Sequence, residues 1–376
     1  MTGVSASEPA TGYPDRPWIP RIWTGMSFSG WVRVLAGNVL RIHPKRVAMA
    51  LLILLFGMLN SALGAMQRVF FGRRIARTEI RQHPIIIVGH WRSGTTLLHE
   101  LLALDPRHTA PSTYACFAPN HFLLTRRTIP PLLSFLMPAR RPADNMSAGW
   151  DHPQEDEFAL CSMGVPSPYL TMAFPNQPPR HAEYLSLQGV PTEEVERWKR
   201  ALLWFLQCVT LECGKRIVLK SPPHTGRIKV LLEMFPDARF VHIVRDPYVV
   251  FASTIHLWKR LYRDQGLQKP RFDGLEEHVF ETFRQMYDVF ERDRALLSPA
   301  RFCQVRYEDL VADMPSEMRR IYDTLELGEC ESALPAIREY ADAHRDYVRN
   351  RFQLPPETRE RISRRWADWI RTYGYA

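Results

Sequence analysis

Four β-branched residues in a row, Ile85-Ile86-Ile87-Val88, lead without a break into Gly89-His90-Trp91-Arg92-Ser93-Gly94-Thr95-Thr96. Leu97-Leu98-His99-Glu100-Leu101-Leu102 follows directly. An apolar run without polar alternation is the pattern of a strand buried on both faces, which a parallel sheet covered by crossover helices supplies. The two glycines let the backbone curl between strand and helix. A loop curled in that way turns its N–H groups inward in front of a helix N-terminus, and this attracts phosphate. One feature thus constrains both the fold and the ligand chemistry: a layered α/β domain with an anion cradle at the end of its first strand.

The strand pattern returns at Ile217-Val218-Leu219, Phe240-Val241-His242-Ile243-Val244 and Phe302-Cys303-Gln304-Val305. Helical stretches fall between these runs. One starts at Thr192 as N-cap and reaches about residue 212, and others cover about 228–235, 275–297 and 317–325. The alternation predicts a P-loop-like three-layer domain with a central parallel sheet over residues 83–376. Residues 130–191 are proline-rich and irregular, as expected of loops and short helices that shape a substrate cleft. Phe117, Phe122, Leu123, Phe135, Leu136 and Phe174 are the apolar candidates for its walls.

Residues 1–82 differ in kind. Eleven basic residues stand there against three acidic ones, whereas the other 294 residues hold 38 basic and 37 acidic. A near-neutral globular part argues against a nucleic-acid-binding face. Inside the basic stretch, residues 47–66 carry no charge, with Arg41, Lys45 and Arg46 before them and Arg68, Arg73 and Arg74 after. As a helix this run matches the roughly 30 Å of a bilayer's hydrocarbon core. It can span a membrane, lie in its surface, or pack on the domain. Arginines at both ends give no positive-inside signal and suit anionic lipid. Residues 28–40 offer a second interfacial helix with Arg33 on its polar side. The expectation is a membrane-associated N-terminal segment, monotopic or peripheral on the cytoplasmic side. The first 20 residues are proline-rich without an apolar core, so no secretory signal is expected. Six scattered cysteines without a CxxC pair suit reduced cytosolic thiols better than a disulfide framework or a zinc site. The pattern does not indicate an oligomeric state.

A second motif, Arg245-Asp246-Pro247, follows the Phe240 strand, with Ser253 eight residues after Arg245. Pro247 suits a first helical turn, so Arg245 sits at the strand exit and Ser253 about two turns along the helix. There both can grip one phosphate, the arginine with its fork of donors. The spacing Gly89-x4-Gly94 equals that of a nucleotide-binding P-loop, yet Thr95 stands where the lysine would follow, and Arg92 brings the positive charge instead. Two alternatives attach to these motifs. One is a kinase or NTPase using ATP with magnesium, which the missing lysine weakens. The other is a membrane-tethered nucleotide-binding protein without catalysis.

Taken together, Arg92-Ser93-Gly94-Thr95-Thr96 and Arg245 with Ser253 resemble the two cofactor motifs of sulfotransferases that use 3′-phosphoadenosine 5′-phosphosulfate (PAPS). Val218-Leu219-Lys220-Ser221-Pro222 resembles the family's strand-end lysine motif, and Arg306-Tyr307-Glu308-Asp309-Leu310 a later stretch. Pro153-Gln154-Glu155-Asp156-Glu157-Phe158 brings the likeness closest to the bacterial branch, over roughly residues 83–376. The resemblance implies that Arg92, Ser93, Gly94, Thr95 and Thr96 hold the 5′-phosphosulfate and that Arg245 and Ser253 hold the 3′-phosphate. It also implies that no metal is needed.

Sulfuryl transfer requires a positioned donor, stabilised charge on the leaving oxygen, and a base for the acceptor's proton. Arg92 and Lys220 are the cations for the leaving group. The positions where family members carry a His or Glu base hold Pro222 and Thr113-Tyr114-Ala115 here, which leaves Glu155, His224 and Glu157, in that order. The apolar segment beside the cleft suggests a small-molecule or lipid acceptor: a lipid, glycolipid or other amphiphilic alcohol, or an amine. His242, inside a strand, reads as a packed core histidine, and Trp366 and Trp369 as one face of a C-terminal helix.

Overall fold

A computed structural model describes residues 21–134, 149–345 and 352–375. Strands β1 (Ile85–Val88), β2 (His108–Thr109), β3 (Arg216–Lys220), β4 (Arg239–Val244) and β5 (Phe302–Arg306) form one parallel sheet ordered β2-β3-β1-β4-β5. Ile86 lies opposite Leu219 on one side and Phe240 on the other, so β1 is central. Strand β2 has only two residues and no apolar run, which is why the sequence does not announce it.

Helices α1 (Phe28–Leu35) and α2 (Val47–Ala76) precede the sheet, and α3 (Thr95–Ala103) follows β1. The span from β2 to β3 holds α4 (Thr113–Phe117), α5 (Phe122–Thr125), α6 (Ile129–Leu132), α7 (Asp156–Ser162) and the long α8 (Thr192–Cys213). Next come α9 (Ile228–Met234), then α10 (Pro247–Gln265) and α11 (Leu275–Asp293) between β4 and β5. After β5 the chain runs through α12 (Tyr307–Ala312), α13 (Met314–Leu325), α14 (Leu334–Ala343), α15 (Pro356–Arg365) and α16 (Ala367–Thr372).

Alternation along the strands sorts these helices into two layers. Ile85, Ile87, Val218, Val241 and Ile243 face Leu98 and Leu101 of α3 and Ile321 and Leu325 of α13. Ile86, Val88, Leu219 and Phe240 face the opposite layer, with Trp198 and Phe205 of α8, Leu231 of α9 and Phe283 of α11. Helix, sheet and helix make the three layers. Trp366 stacks on Phe283 at 3.8 Å and Trp369 sits edge-on to it at 5.4 Å, so both tryptophans are core residues. His242 is buried among Tyr287, Phe290 and Tyr373. Burial pushes its pKa down to about 3.

The N-terminal segment packs on this domain. Trp23, Trp31, Ala50, Ile53 and Ile75 belong to the same buried cluster as Trp198 and Phe205. Each indole N–H finds a carbonyl, Trp31 that of Ala50 at 3.0 Å and Trp23 that of Gln265 at 2.7 Å. The expected second helix ends at Leu35, before a short 3-10 turn at Val39–Arg41. Helix α2 extends ten residues beyond the uncharged run, so Arg68, Arg73 and Arg74 are helical rather than flanking. All six cysteines are free thiols.

Candidate active site

The C-terminal ends of β1, β3 and β4 converge on one cavity of about 540 Å³. The first loop is held by contacts that exclude side chains at its glycines. Gly89 has φ 149°, and a Cβ there would meet the Ile243 carbonyl at 2.6 Å. Gly94 has φ 104°, and a Cβ would strike the Tyr307 ring at 2.4 Å. Between them Arg92 itself adopts φ 68°, the left-handed region, which costs a non-glycine residue about 1–2 kcal/mol.

The two motifs that hold this strained residue lie far apart in sequence. Arg92 Nε donates to Ser253 Oγ at 2.8 Å, and Arg245 Nη1 donates to the Arg92 carbonyl at 3.1 Å. The Arg245 guanidinium in turn lies 4.0 Å over the Tyr307 ring. Asp246 caps α10 by accepting from the Tyr248 N–H at 2.8 Å, and Glu308 accepts from the Asp246 N–H at 3.1 Å. Tyr375 donates to the other oxygen of Glu308 at 2.8 Å. The Tyr-Glu-Asp-Leu stretch therefore packs under the first loop and braces the start of α10.

Three consecutive acids, Glu155, Asp156 and Glu157, each meet a cationic or imidazole group from the end of β3 or the stretch after it. Lys220 Nζ donates to Glu155 at 2.7 Å, His224 Nε2 meets Asp156 at 2.7 Å, and Arg227 Nη1 donates to Glu157 at 2.6 Å. Their exposures differ. Glu155 lines the cavity, with 14% of its side chain exposed, whereas the side chains of Asp156, Glu157, His224 and Arg227 are fully buried. Burial pushes the Asp156 carboxyl up, but His224 and the Ser221 hydroxyl pull harder and leave its pKa lowered.

Glu155 has a second partner. The Tyr169 hydroxyl donates to it at 2.5 Å and accepts from Trp91 Nε1 at 3.0 Å. Burial, reinforced by the adjacent carboxylate, raises the Tyr169 pKa well above the usual phenol value, so this hydroxyl stays protonated and remains a donor. Lys220 also reaches Thr96 Oγ1 at 3.3 Å, which ties the carboxylate to the first loop.

The sequence-derived residues fall into two groups. Arg92, Gly94, Thr95, Thr96, Arg245 and Glu155 line the cavity; Ser253 and Lys220 act on it through Arg92 and Glu155. Ser93 is buried and donates to the His90 carbonyl at 2.7 Å, so its hydroxyl closes the loop on itself. His224 does not reach the cavity wall, because Asp156 holds it inside the core. Glu157 is likewise committed to Arg227. Of the apolar residues expected on the wall, Phe122 and Phe174 are core residues at 1% exposure, Phe117 and Leu123 are half-buried away from this cavity, and Phe135 and Leu136 lie outside the described residues. Phe158, Met172, Leu257, Trp258 and Leu261 line the cavity instead. Tyr169, Trp91 and Arg227 carried no signal in the sequence, since their roles depend on partners brought together only by folding.

A P-loop-like turn, a strand-end arginine and a lysine-held carboxylate are thus brought together at one cavity. The model of the sulfotransferase family matches residues 84–331, and the chain belongs to that family. It is a sulfotransferase. It is 50% identical over 360 residues to the omega-hydroxy-beta-dihydromenaquinone-9 sulfotransferase Stf3 of Mycobacterium bovis and, equally, of Mycobacterium tuberculosis, covering 96% of this chain and 92% of each relative. Among solved structures, sulfotransferase STF9 from Mycobacterium avium superposes with a TM-score of 0.64 at 19% identity, covering 96% of this chain and 98% of that one. STF1 from Mycobacterium tuberculosis does so with 0.58 at 18% identity, covering 94% and 100%. These two similarities bear on the fold alone.

Proposed function

We propose that the enzyme transfers the sulfuryl group of PAPS to the terminal hydroxyl of a lipid-like alcohol, at the cytoplasmic face of a membrane. The observation that carries this reading is Glu155. Its carboxylate lines a cavity whose wall also carries the cationic Arg92 and Arg245 and the apolar Phe158, Met172 and Leu257. An anionic donor and an apolar acceptor would meet there. The relative at 50% identity is named for a hydroxylated menaquinone, an alcohol on an isoprenoid chain, which supports an acceptor of that class.

The donor set fits a phosphosulfate bearing a second phosphate. Arg245 and Ser253 would take the 3′-phosphate, and the loop N–H groups with Thr95 and Thr96 the 5′-phosphosulfate. In the transfer, the acceptor oxygen forms a bond to sulfur as the bond from sulfur to the bridging oxygen breaks. Glu155 accepts the hydroxyl proton. Arg92 stabilises the charge left on the bridging oxygen of adenosine 3′,5′-bisphosphate, with Lys220 behind it on Glu155 and Thr96. His224 and Glu157 are set aside as bases because both side chains are fully buried away from the cavity, His224 Nε2 held by Asp156 and Glu157 by Arg227.

Calorimetry with adenosine 3′,5′-bisphosphate tests the donor assignment. Tight binding without magnesium is expected. Arg245→Ala should weaken it about tenfold to a hundredfold, the worth of charge-assisted hydrogen bonds. A preference for ATP with magnesium, or an unchanged affinity in the variant, would refute the assignment.

A further inference from the structure

Helix α2 turns small residues toward the domain and large ones away from it. Ala50, Gly57 and Gly64, seven positions apart, lie on its buried side with Ile53, Asn60 and Gln67. A Cβ at Gly57 would come within 3.1 Å of the Phe28 Cα, and one at Gly64 within 3.1 Å of Asn120, so small residues permit these close approaches. Asn60 donates to the Thr24 and Met26 carbonyls at 2.7 and 3.0 Å and meets His121 Nε2 at 3.1 Å. Buried polar groups thus fasten this side of the helix to its own domain.

The opposite side is apolar and open. Leu51, Leu55, Leu59, Met66, Val69 and Phe70 are 46–80% exposed, and the strip continues onto the preceding turn, where Leu40 is fully exposed. Soluble proteins rarely leave so long a contiguous apolar strip to water. The surrounding charge says what covers it. Between residues 21 and 82 ten basic residues face a single acid, Glu79. Arg41 and Lys45 are exposed at one end of the strip, and Arg73, Arg74 and Arg77 at the other.

We propose that the outward face of α2 and the Leu40 turn docks flat on an anionic bilayer surface, with the helix axis in the membrane plane and the arginines at headgroup level. The docked segment is also joined to the wall of the active-site cavity. Trp23 and His43 donate to the Gln265 and Leu267 carbonyls at 2.7 and 2.9 Å, and the Leu267 N–H donates to Ala173 at 2.8 Å. Those contacts fix the end of α10 and the 3-10 turn Pro168–Ala173, the two elements that contribute Leu257, Trp258, Leu261, Tyr169 and Met172 to the cavity. The apolar end of the cavity is thereby held to the membrane-facing side, and a lipid alcohol passes from bilayer to Glu155 without crossing bulk water. This last step rests on the lipid-acceptor reading; the docking surface does not.

Co-sedimentation with phosphatidylglycerol/phosphatidylcholine vesicles tests the surface. The wild type should bind, and added salt or pure phosphatidylcholine should weaken binding at least tenfold. Leu55→Glu with Val69→Glu, at exposed positions, should abolish vesicle binding while circular dichroism and Tm stay unchanged. Undiminished binding by the folded variant would overturn the proposal, as would a wild-type dimer that ignores vesicles and that the variant splits, since a second copy would then be the occupant. Turnover adds a separate readout. The variant should keep wild-type activity on a short water-soluble prenyl alcohol and lose it on a long polyprenol held in vesicles. Equal loss on both would overturn the delivery route. Absence of turnover on either by the wild type would instead sink the acceptor reading and leave the vesicle result standing.

Discussion

Glu155 is held from two sides, by the Lys220 ammonium and by the Tyr169 hydroxyl, while its neighbours in sequence are held inside the core. Glu155→Gln should therefore lower kcat by about 10²–10⁴-fold with donor affinity nearly intact, as loss of a positioned base does. Tyr169→Phe should lower kcat in the same direction but by less, because Lys220 still orients the carboxylate; a Tyr169→Phe enzyme with wild-type kcat would remove the tyrosine from the reaction. The sequence puts Glu155 first among the candidate bases because it stands in a motif segment and the alternative positions are filled by proline and threonine, and the structure places its carboxylate at the cavity. What was not legible was the reason. Whether an acid faces a cavity or a buried arginine depends on partners 65 to 70 residues away, and periodicity carries no such information.

At the scale of elements, the acid triplet opening α7 joins that helix to the end of β3 and the chain after it through three consecutive pairs. The Glu157–Arg227 pair is fully buried, with Arg227 also donating to the Tyr184 carbonyl at 2.6 Å and lying 5.0 Å from the Trp198 ring. Removing one partner leaves a buried charge uncompensated. Glu157→Ala should then cost about 3–5 kcal/mol, read as a drop in Tm or denaturant midpoint. Strands β1, β3 and β4 were readable because each is centred on a buried, mostly apolar run, the signature of burial on both faces; β5 at the sheet edge carries less of that signal, with Gln304 exposed between Cys303 and Val305. Helix α2 was readable as a helix but not as a surface: it is apolar around most of its circumference, so only its packing against Trp31 and Asn120 reveals which side faces in. Its true end at Ala76 was masked because an uncharged window stops at the first arginine, whereas a helix lying on a surface tolerates arginines on its outer face.

For the molecule as a whole, the layers are knit by buried histidines as well as by apolar contacts. Burial drives His90 and His242 down to about 3 and His121 down to about 4. An unfolded histidine titrates near 6.5, so below that pH the unfolded chain takes up protons that the folded state refuses. The stabilisation is complete above about pH 6.5 and drains away as pH falls toward the folded values, by up to about 1.4 kcal/mol per pH unit for each histidine. Denaturant midpoints should fall steadily from pH 7 to pH 5; a flat profile would contradict neutral burial of these rings.

One further consequence follows from Arg92, whose side chain is tied to Ser253 and whose carbonyl is tied to Arg245 across more than 150 residues of chain. On the donor assignment proposed above, the 3′-phosphate of the nucleotide would meet the two side chains that now hold Arg92. Adenosine 5′-phosphosulfate, which lacks that phosphate, would leave those contacts as they are. The same two side chains would then both fasten the loop of the free enzyme and recognise the phosphate that distinguishes one nucleotide from the other.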